Sequence, residues 1–176
     1  MPHTPSVAAT TSHPHGTLPR LLASLLLVAS LSPGLGMAAP ADAPWGQAKA
    51  VHQTYAKQKV VYDVTVGTED KMRSVISRAM LLADLNGSDP FDSKVVILLH
   101  GNEIPFFAIK NLAKHRELMQ RAQSATLSGV IEFRMCRLAA EFHGFKPEDI
   151  HGFITLVPMA DAEIVRLQQE GYAYMR

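Results

Sequence analysis

The segment "KVVILLHG", residues 94–101, constrains the fold more than any other part of the chain. Its apolar residues follow one another almost without interruption, whereas a strand with one face in water alternates apolar and polar side chains. A run of this length and composition is typical of a strand that is covered on both faces, as in the middle of a parallel sheet. The segment therefore predicts a sheet with further layers on both sides.

The remaining residues supply the neighbouring elements, because strand-like and helix-like segments alternate along the chain. Thr68 can cap a helix whose apolar residues recur at helical spacing and which ends before "NGSDP". Alternation of this kind predicts right-handed crossovers, and so an α/β fold with a mainly parallel sheet and helices on both faces, a flavodoxin-like three-layer sandwich. The other predicted strands are 59–67, 130–135 and 152–158, and the other predicted helices are 115–127, 137–143 and 161–172.

In open parallel sheets, ligands gather at the carboxyl ends of the strands. Four short segments should meet at that edge here. We therefore take them as the candidate site: Gly67 and Thr68, then His100, Gly101 and Asn102, then Cys136, and finally Pro158 and Met159.

Cys136 is the only cysteine, and it is predicted to lie between a strand and the start of a helix, with Arg134 and Arg137 beside it. Positive charge and a helix start favour the thiolate, which is the reactive form, so the position suits a nucleophilic or sulfur-carrying cysteine with the arginines as anion ligands. His100 could move a proton. The alternative is that Cys136 is buried packing and His100 is a polar residue at a turn.

The first 41 residues have the pattern of a secretory signal peptide. Arg20 precedes the apolar run "LLASLLLVASL", small residues follow it, and no Asp or Glu occurs before Asp42. The run is shorter than the roughly 20 residues of a membrane span, so we expect cleavage after Ala38 or Ala41, a periplasmic protein and no stable span. Residues 42–58 are then a linker or arm, and residues 59–176 the folded domain.

Charge and missing motifs exclude several classes of function. Of the 17 Lys and Arg only Arg20 precedes residue 42, so the rest of the chain balances its 16 Asp and Glu and offers no basic surface for nucleic acid. The phosphate-binding, nucleophile-elbow and zinc-protease motifs are absent from the sequence. With one cysteine and scattered histidines we expect no metal and no cofactor.

Four segments resemble the single-domain DsrE/DsrF-like proteins in their order and spacing. They are "KVVYDVTVG", "KVVILLHGNEIPFF", "VIEFRMCRLAAEFHG" and "LVPMADAEIVRLQQEGYAYMR", and the resemblance covers residues 59–176. The family cysteine corresponds to Cys136, and the frequent His-Gly pair at the end of the second strand corresponds to His100 and Gly101.

The resemblance implies a homo-oligomer, and a cysteine persulfide on Cys136 that receives sulfane sulfur from a donor thiol protein and passes it to an acceptor. Together with the apolar tail "GYAYMR", it predicts that Tyr172 and Tyr174 help to pack the C-terminal segment of the oligomer. Two alternatives stay open. One is a non-catalytic oligomeric scaffold or small-ligand-binding module with an inert cysteine, and the other is a thiol redox sensor.

Overall fold

The sheet of this protein pairs the first strand of the folded domain with the last strand, which lies at one edge. The computed structural model describes residues 43–176, so the predicted signal peptide lies outside the described residues. Within that range, residues 51–176 make one compact unit, and no helix is long and apolar enough to cross a membrane. The strands are β1 (Lys59–Val64), β2 (Lys94–Leu99), β3 (Ile131–Cys136), β4 (Ile154–Val157) and β5 (Ala173–Met175), and the α-helices are α1 (Glu69–Leu85), α2 (Leu112–Thr126), α3 (Arg137–Phe142) and α4 (Ala160–Gln169).

The capping and terminating residues predicted from the sequence are found at the ends of the helices. The hydroxyl oxygen of Thr68 accepts a hydrogen bond from the backbone N–H of Lys71 at 3.4 Å and caps α1. Gly144 ends α3 with a φ of 77°, and Gly171 follows α4 with a φ of 87°, a conformation that other residues rarely adopt.

Two element predictions were wrong. Helix α2 begins at Leu112 rather than at 115, and the predicted start coincides with a kink, where His115 has φ −113° and ψ 24°. The segment "AYM" forms β5, which the sequence analysis did not predict. Three residues are too few for an alternation signal.

All four strand pairings are parallel, and the strand order is β4-β3-β2-β1-β5. The chain moves in one direction from β1 to β4, so right-handed crossovers place α1, α2 and α3 on one face of the sheet. The return from β4 to β5 runs past the other strands and places α4 on the opposite face. The α/β class with helices on both faces is therefore confirmed.

The two faces, called here the three-helix face and the one-helix face, differ in content. The three-helix face carries the large apolar core, which includes Ile97, Leu99 and Phe133 with the inner sides of α1 and α2. The one-helix face carries a much smaller apolar cluster, formed by Val61, Val96, Leu98, Cys136, Val157, Ala160 and Leu167. Polar and charged side chains occupy most of its remaining positions.

Candidate functional site

The candidate site lies at the carboxyl edge of β2 and β3. In the register of these strands Leu99 lies opposite Met135, so the next residue of each segment is His100 and Cys136. Both belong to the one-helix face, because side chains alternate along a strand and Leu98 and Cys136 share its apolar cluster. The structure therefore brings the predicted histidine and cysteine to neighbouring positions of one edge.

Gly101 follows His100 where two backbones approach each other. A Cβ atom at Gly101 would lie 2.7 Å from the Cα of Thr65, closer than real side chains come, so glycine is required there. A Cβ at Gly67 would lie 4.0 Å from the Cβ of Asn102, so the loops after β1 and β2 are adjacent, as predicted. Thr68 and Asn102 are exposed at this edge.

The ring of His100 is held by a residue that the sequence analysis missed. The Nε2 atom of His100 is hydrogen-bonded to Oδ1 of Asp63 on β1, and the hydroxyl of Tyr174 on β5 donates to Oδ2 of the same carboxylate. Burial raises the pKa of Asp63, but the hydrogen bonds from Tyr174 and His100 outweigh it and hold that pKa below its usual value. Asp63 therefore remains an acceptor for both groups.

Cys136 is nearly enclosed. It is 5% exposed, it is the N-cap residue of α3, and its Sγ accepts a hydrogen bond from the backbone N–H of Ala139 at 3.4 Å. The thiol thus satisfies an N–H group at the start of a helix, a part that serine more often plays. The thiol therefore presents little surface to solvent.

The two predicted anion ligands are engaged by carboxylates. Arg134 is on the same face as Cys136 and bonds to Oε2 of Glu132 at 2.7 Å and to Oε1 of Glu163 on α4. Burial raises the pKa of Glu132, but hydrogen bonds from Lys94 and Arg134 more than reverse that shift. Arg137 is half-exposed and pairs with Glu141 at 3.1 Å. The positive charge that the sequence suggested for a sulfur anion is therefore balanced by nearby negative charge.

A second carboxyl group that the sequence analysis missed lies inside the loop after β2. Glu103 is 0% exposed, and its Oε1 accepts the backbone N–H of Gly101 at 2.8 Å. Its Oε2 is buried without a hydrogen-bond partner, and burial raises the pKa of the group. Glu103 shapes the loop that carries His100 and Gly101.

No local sequence pattern indicates that Asp63, Glu103 or Tyr174 belongs to the site. Asp63 has one available signal, since it is the single charged residue within the apolar strand "VVYDV". Within residues 43–176, no three His, Cys, Asp or Glu side chains are grouped so that they could hold a metal ion.

The fold and the edge define an α/β protein with a five-stranded parallel sheet and a histidine–carboxylate pair beside a cysteine. No protein-family model matches the chain, and no curated protein matches it at a significant level. Among solved structures, it is similar to MTH1491 from Methanobacterium thermoautotrophicum, described as a protein of unknown function. The TM-score is 0.52 at 20% sequence identity, and the match covers 68% of this chain and 99% of that one. At this identity the likeness shows the fold alone.

Proposed function

We propose that this protein binds and transfers sulfane sulfur as a persulfide on Cys136. The observation that carries the proposal is the neighbouring placement of Cys136 and His100 at the carboxyl edge of β3 and β2, with the His100 ring anchored by Asp63. A thiol nucleophile needs a group that accepts its proton, and an oriented imidazole is the commonest one. The resemblance to the DsrE/DsrF-like proteins at Cys136, His100 and Gly101 supports the same chemistry.

In the loading step, the thiolate of Cys136 attacks the outer sulfur of a donor persulfide. A bond forms between that sulfur and Sγ, the donor's S–S bond breaks, and its electron pair leaves on the donor thiolate, which takes up a proton. In the release step, an acceptor thiol gives its proton to His100, the resulting thiolate attacks the outer sulfur on Cys136, and Cys136 leaves as the thiolate. Sulfur changes carrier without a net oxidant or reductant, so the proposed reaction requires no cofactor.

His100 has a defined part in this scheme. With its Nε2 proton donated to Asp63, a neutral imidazole keeps Nδ1 as an acceptor for a thiol proton. Arg134 and Arg137 are proposed to stabilise an anionic persulfide only when their carboxylate partners release them, because both are paired in the resting protein. Gly67, Thr68, Gly101 and Asn102 would form the rim that the sulfur donor and acceptor meet.

The proposed setting is the periplasm, in a homo-oligomer that exchanges sulfur with donor and acceptor thiol proteins. If the leader is removed as the sequence predicts, N-terminal sequencing of the mature protein should begin at Ala39 or Asp42. Recovery of intact Met1 in soluble cytoplasm would contradict this location.

Light scattering at micromolar concentration should give more than one subunit, and a clean monomer would contradict the assembly.

Polysulfide treatment tests the chemistry directly, because the chain has a single thiol. Intact mass spectrometry should show increments of about 32 Da per sulfur atom, and Cys136→Ser should abolish them. His100→Asn should slow release to a small thiol by at least about tenfold, since general acid–base groups contribute about 10²–10⁴ in rate. His143→Asn, which alters a histidine at the far end of α3, is the matched control and should leave the rate unchanged. Absence of sulfur on the wild-type protein would refute the proposal.

One observation favours a second candidate function, a non-catalytic scaffold or small-ligand-binding module. Cys136 is 5% exposed and packs in the apolar cluster of the one-helix face, as an inert cysteine would. In that case iodoacetamide should label the folded protein no faster than its unfolding allows. Fast labelling together with sulfur uptake favours the carrier, and oxidation to an intermolecular disulfide without sulfur uptake favours a redox sensor.

A further inference from the structure

The last strand of the sheet contributes a side chain to the candidate site. In the register of β1 and β5, Tyr174 lies opposite Val61, and its hydroxyl reaches Asp63, two residues further along β1. Val61 is buried on the one-helix face, so Tyr174 belongs to the same face as His100 and Cys136. Tyr174 is 43% exposed, so packing alone does not explain its position.

Asp63 accepts one hydrogen bond on each carboxylate oxygen. Oδ1 bonds the Nε2 atom of His100, and Oδ2 accepts the hydroxyl proton of Tyr174. A carboxylate that is held at both oxygens cannot rotate about its Cβ–Cγ bond without breaking one of these bonds. Because hydrogen bonds to a charged acceptor are about twice as strong as neutral ones, this arrangement fixes the plane in which the His100 ring is bound.

We propose that Tyr174 is a positioning residue of the sulfur-transfer site, acting on His100 through Asp63; this inference rests on the function proposed above. Tyr174 touches neither the sulfur nor the reacting thiol. It holds the carboxylate that keeps the His100 proton on Nε2, and so keeps Nδ1 as the acceptor. The proposed orientation of His100 therefore depends on β5, because the Tyr174 hydroxyl that holds Asp63 comes from that strand.

The test compares Tyr174→Phe with Tyr172→Phe in the full chain. Both variants remove one hydroxyl from the same segment and keep the ring; Tyr172 packs on the apolar cluster of the one-helix face, with the ammonium of Lys59 5.9 Å from its ring centre. In Tyr174→Phe, the ¹⁵N shifts of the His100 ring should move from those of a single Nε2–H tautomer toward a mixture. In Tyr172→Phe they should match the wild type.

Sulfur transfer provides the second measurement. After loading with polysulfide, release from Cys136 to glutathione should be about tenfold slower in Tyr174→Phe, a fraction of the about 10²–10⁴ that a general base contributes. The amount of sulfur loaded should be unchanged, because the nucleophile is intact. Amide hydrogen exchange of residues 173–175 checks that β5 remains paired, so that a lost strand is not taken for a lost hydroxyl.

A double-mutant cycle with Asp63→Asn decides whether Tyr174 acts through Asp63. If it does, Tyr174→Phe has no further effect on the ring shifts or on the release rate in the Asp63→Asn background. Effects that multiply in the double variant, or a Tyr174→Phe protein with wild-type ring shifts and release rate, would overturn the positioning role. Failure of the proposed function is distinguishable, since the wild type would then take up no sulfur while Tyr174→Phe still changed the ring shifts.

Discussion

The two faces of the sheet use different physical means to cover the same strands. The three-helix face is closed by apolar contacts, such as the rings of Phe107 and Phe133 at 5.9 Å. The one-helix face has only α4 above it and is closed largely by ion pairs, in which Arg134 joins Glu132 on its own strand to Glu163 on α4. Five side chains of the candidate site belong to this second face: Asp63, His100, Arg134, Cys136 and Tyr174. The large apolar core and these side chains therefore lie on opposite faces of the sheet: one side packs, and the other keeps polar groups close to a thiol.

Two consecutive leucines point to opposite faces and allow the two layers to be compared directly. Leu98 and Leu99 are both 0% exposed, but Leu98 faces α4 and Leu99 faces the large core. Leu99→Ala should lower the free energy of unfolding by about 4 kcal/mol and Leu98→Ala by about 2–3 kcal/mol, because the thinner layer can close over its cavity more easily. Urea denaturation of both variants measures the difference, and equal losses would remove the contrast between the faces.

A smaller loss is expected from the ion pairs. Arg134→Met leaves Glu163 without its strand partner in a largely buried position and should cost about 2 kcal/mol. The double variant Arg134→Met, Glu163→Leu should recover most of that loss, because apolar groups of similar size can replace a buried pair. Urea denaturation is again the measurement. No recovery in the double variant would mean that the one-helix face depends on charge for its stability.

Acid should weaken the carboxylate contacts of the one-helix face. Hydrogen bonds from Arg166 lower the pKa of Glu163, and bonding to Tyr174 and His100 lowers that of Asp63 despite its burial. A carboxyl whose pKa is lower in the folded state contributes stability above its unfolded pKa, about 4, and loses it as pH falls through the folded value. The free energy of unfolding should therefore fall below about pH 5, and Glu163→Gln should reduce that fall by about 1 kcal/mol. Chemical denaturation between pH 3 and 7 measures it, and an unchanged slope in Glu163→Gln would assign the acid sensitivity to other groups.

The smallest effect is expected at the cysteine itself. In Cys136→Ser the new hydroxyl can accept the N–H of Ala139 as an N-cap residue, which offsets the cost of burying it. The free energy of unfolding should therefore change by no more than about 1 kcal/mol, and the shift in melting temperature measures it. Cys136→Val, which has a similar shape and no acceptor, is the matched variant and should be less stable. A loss of several kcal/mol in Cys136→Ser would support the packing function of the thiol.

The strands and helices with strong periodicity could be predicted from the sequence, and the groups that order the site could not. The run at 94–101 and the Thr68 cap are local signals, and both were interpreted correctly. Strand β5 and the partnership of Asp63 with Tyr174 depend on residues 111 positions apart, which no local spacing reveals. The pairing of Arg134 with Glu163 is also invisible in the local sequence, because it depends on which face of the sheet α4 covers.

The position of β5 beside β1 also has a consequence for the order in which the molecule folds. Each step from β1 to β4 closes a short crossover between neighbouring strands, whereas β5 must return to β1 across the whole domain. Loop-closure entropy rises with the length of chain enclosed, so contacts between distant residues tend to form late. The three-helix face can therefore assemble before β5 pairs with β1. The hydrogen bond from Tyr174 to Asp63, the carboxylate that holds the His100 ring, then forms only after β5 has docked, so the candidate site is completed last.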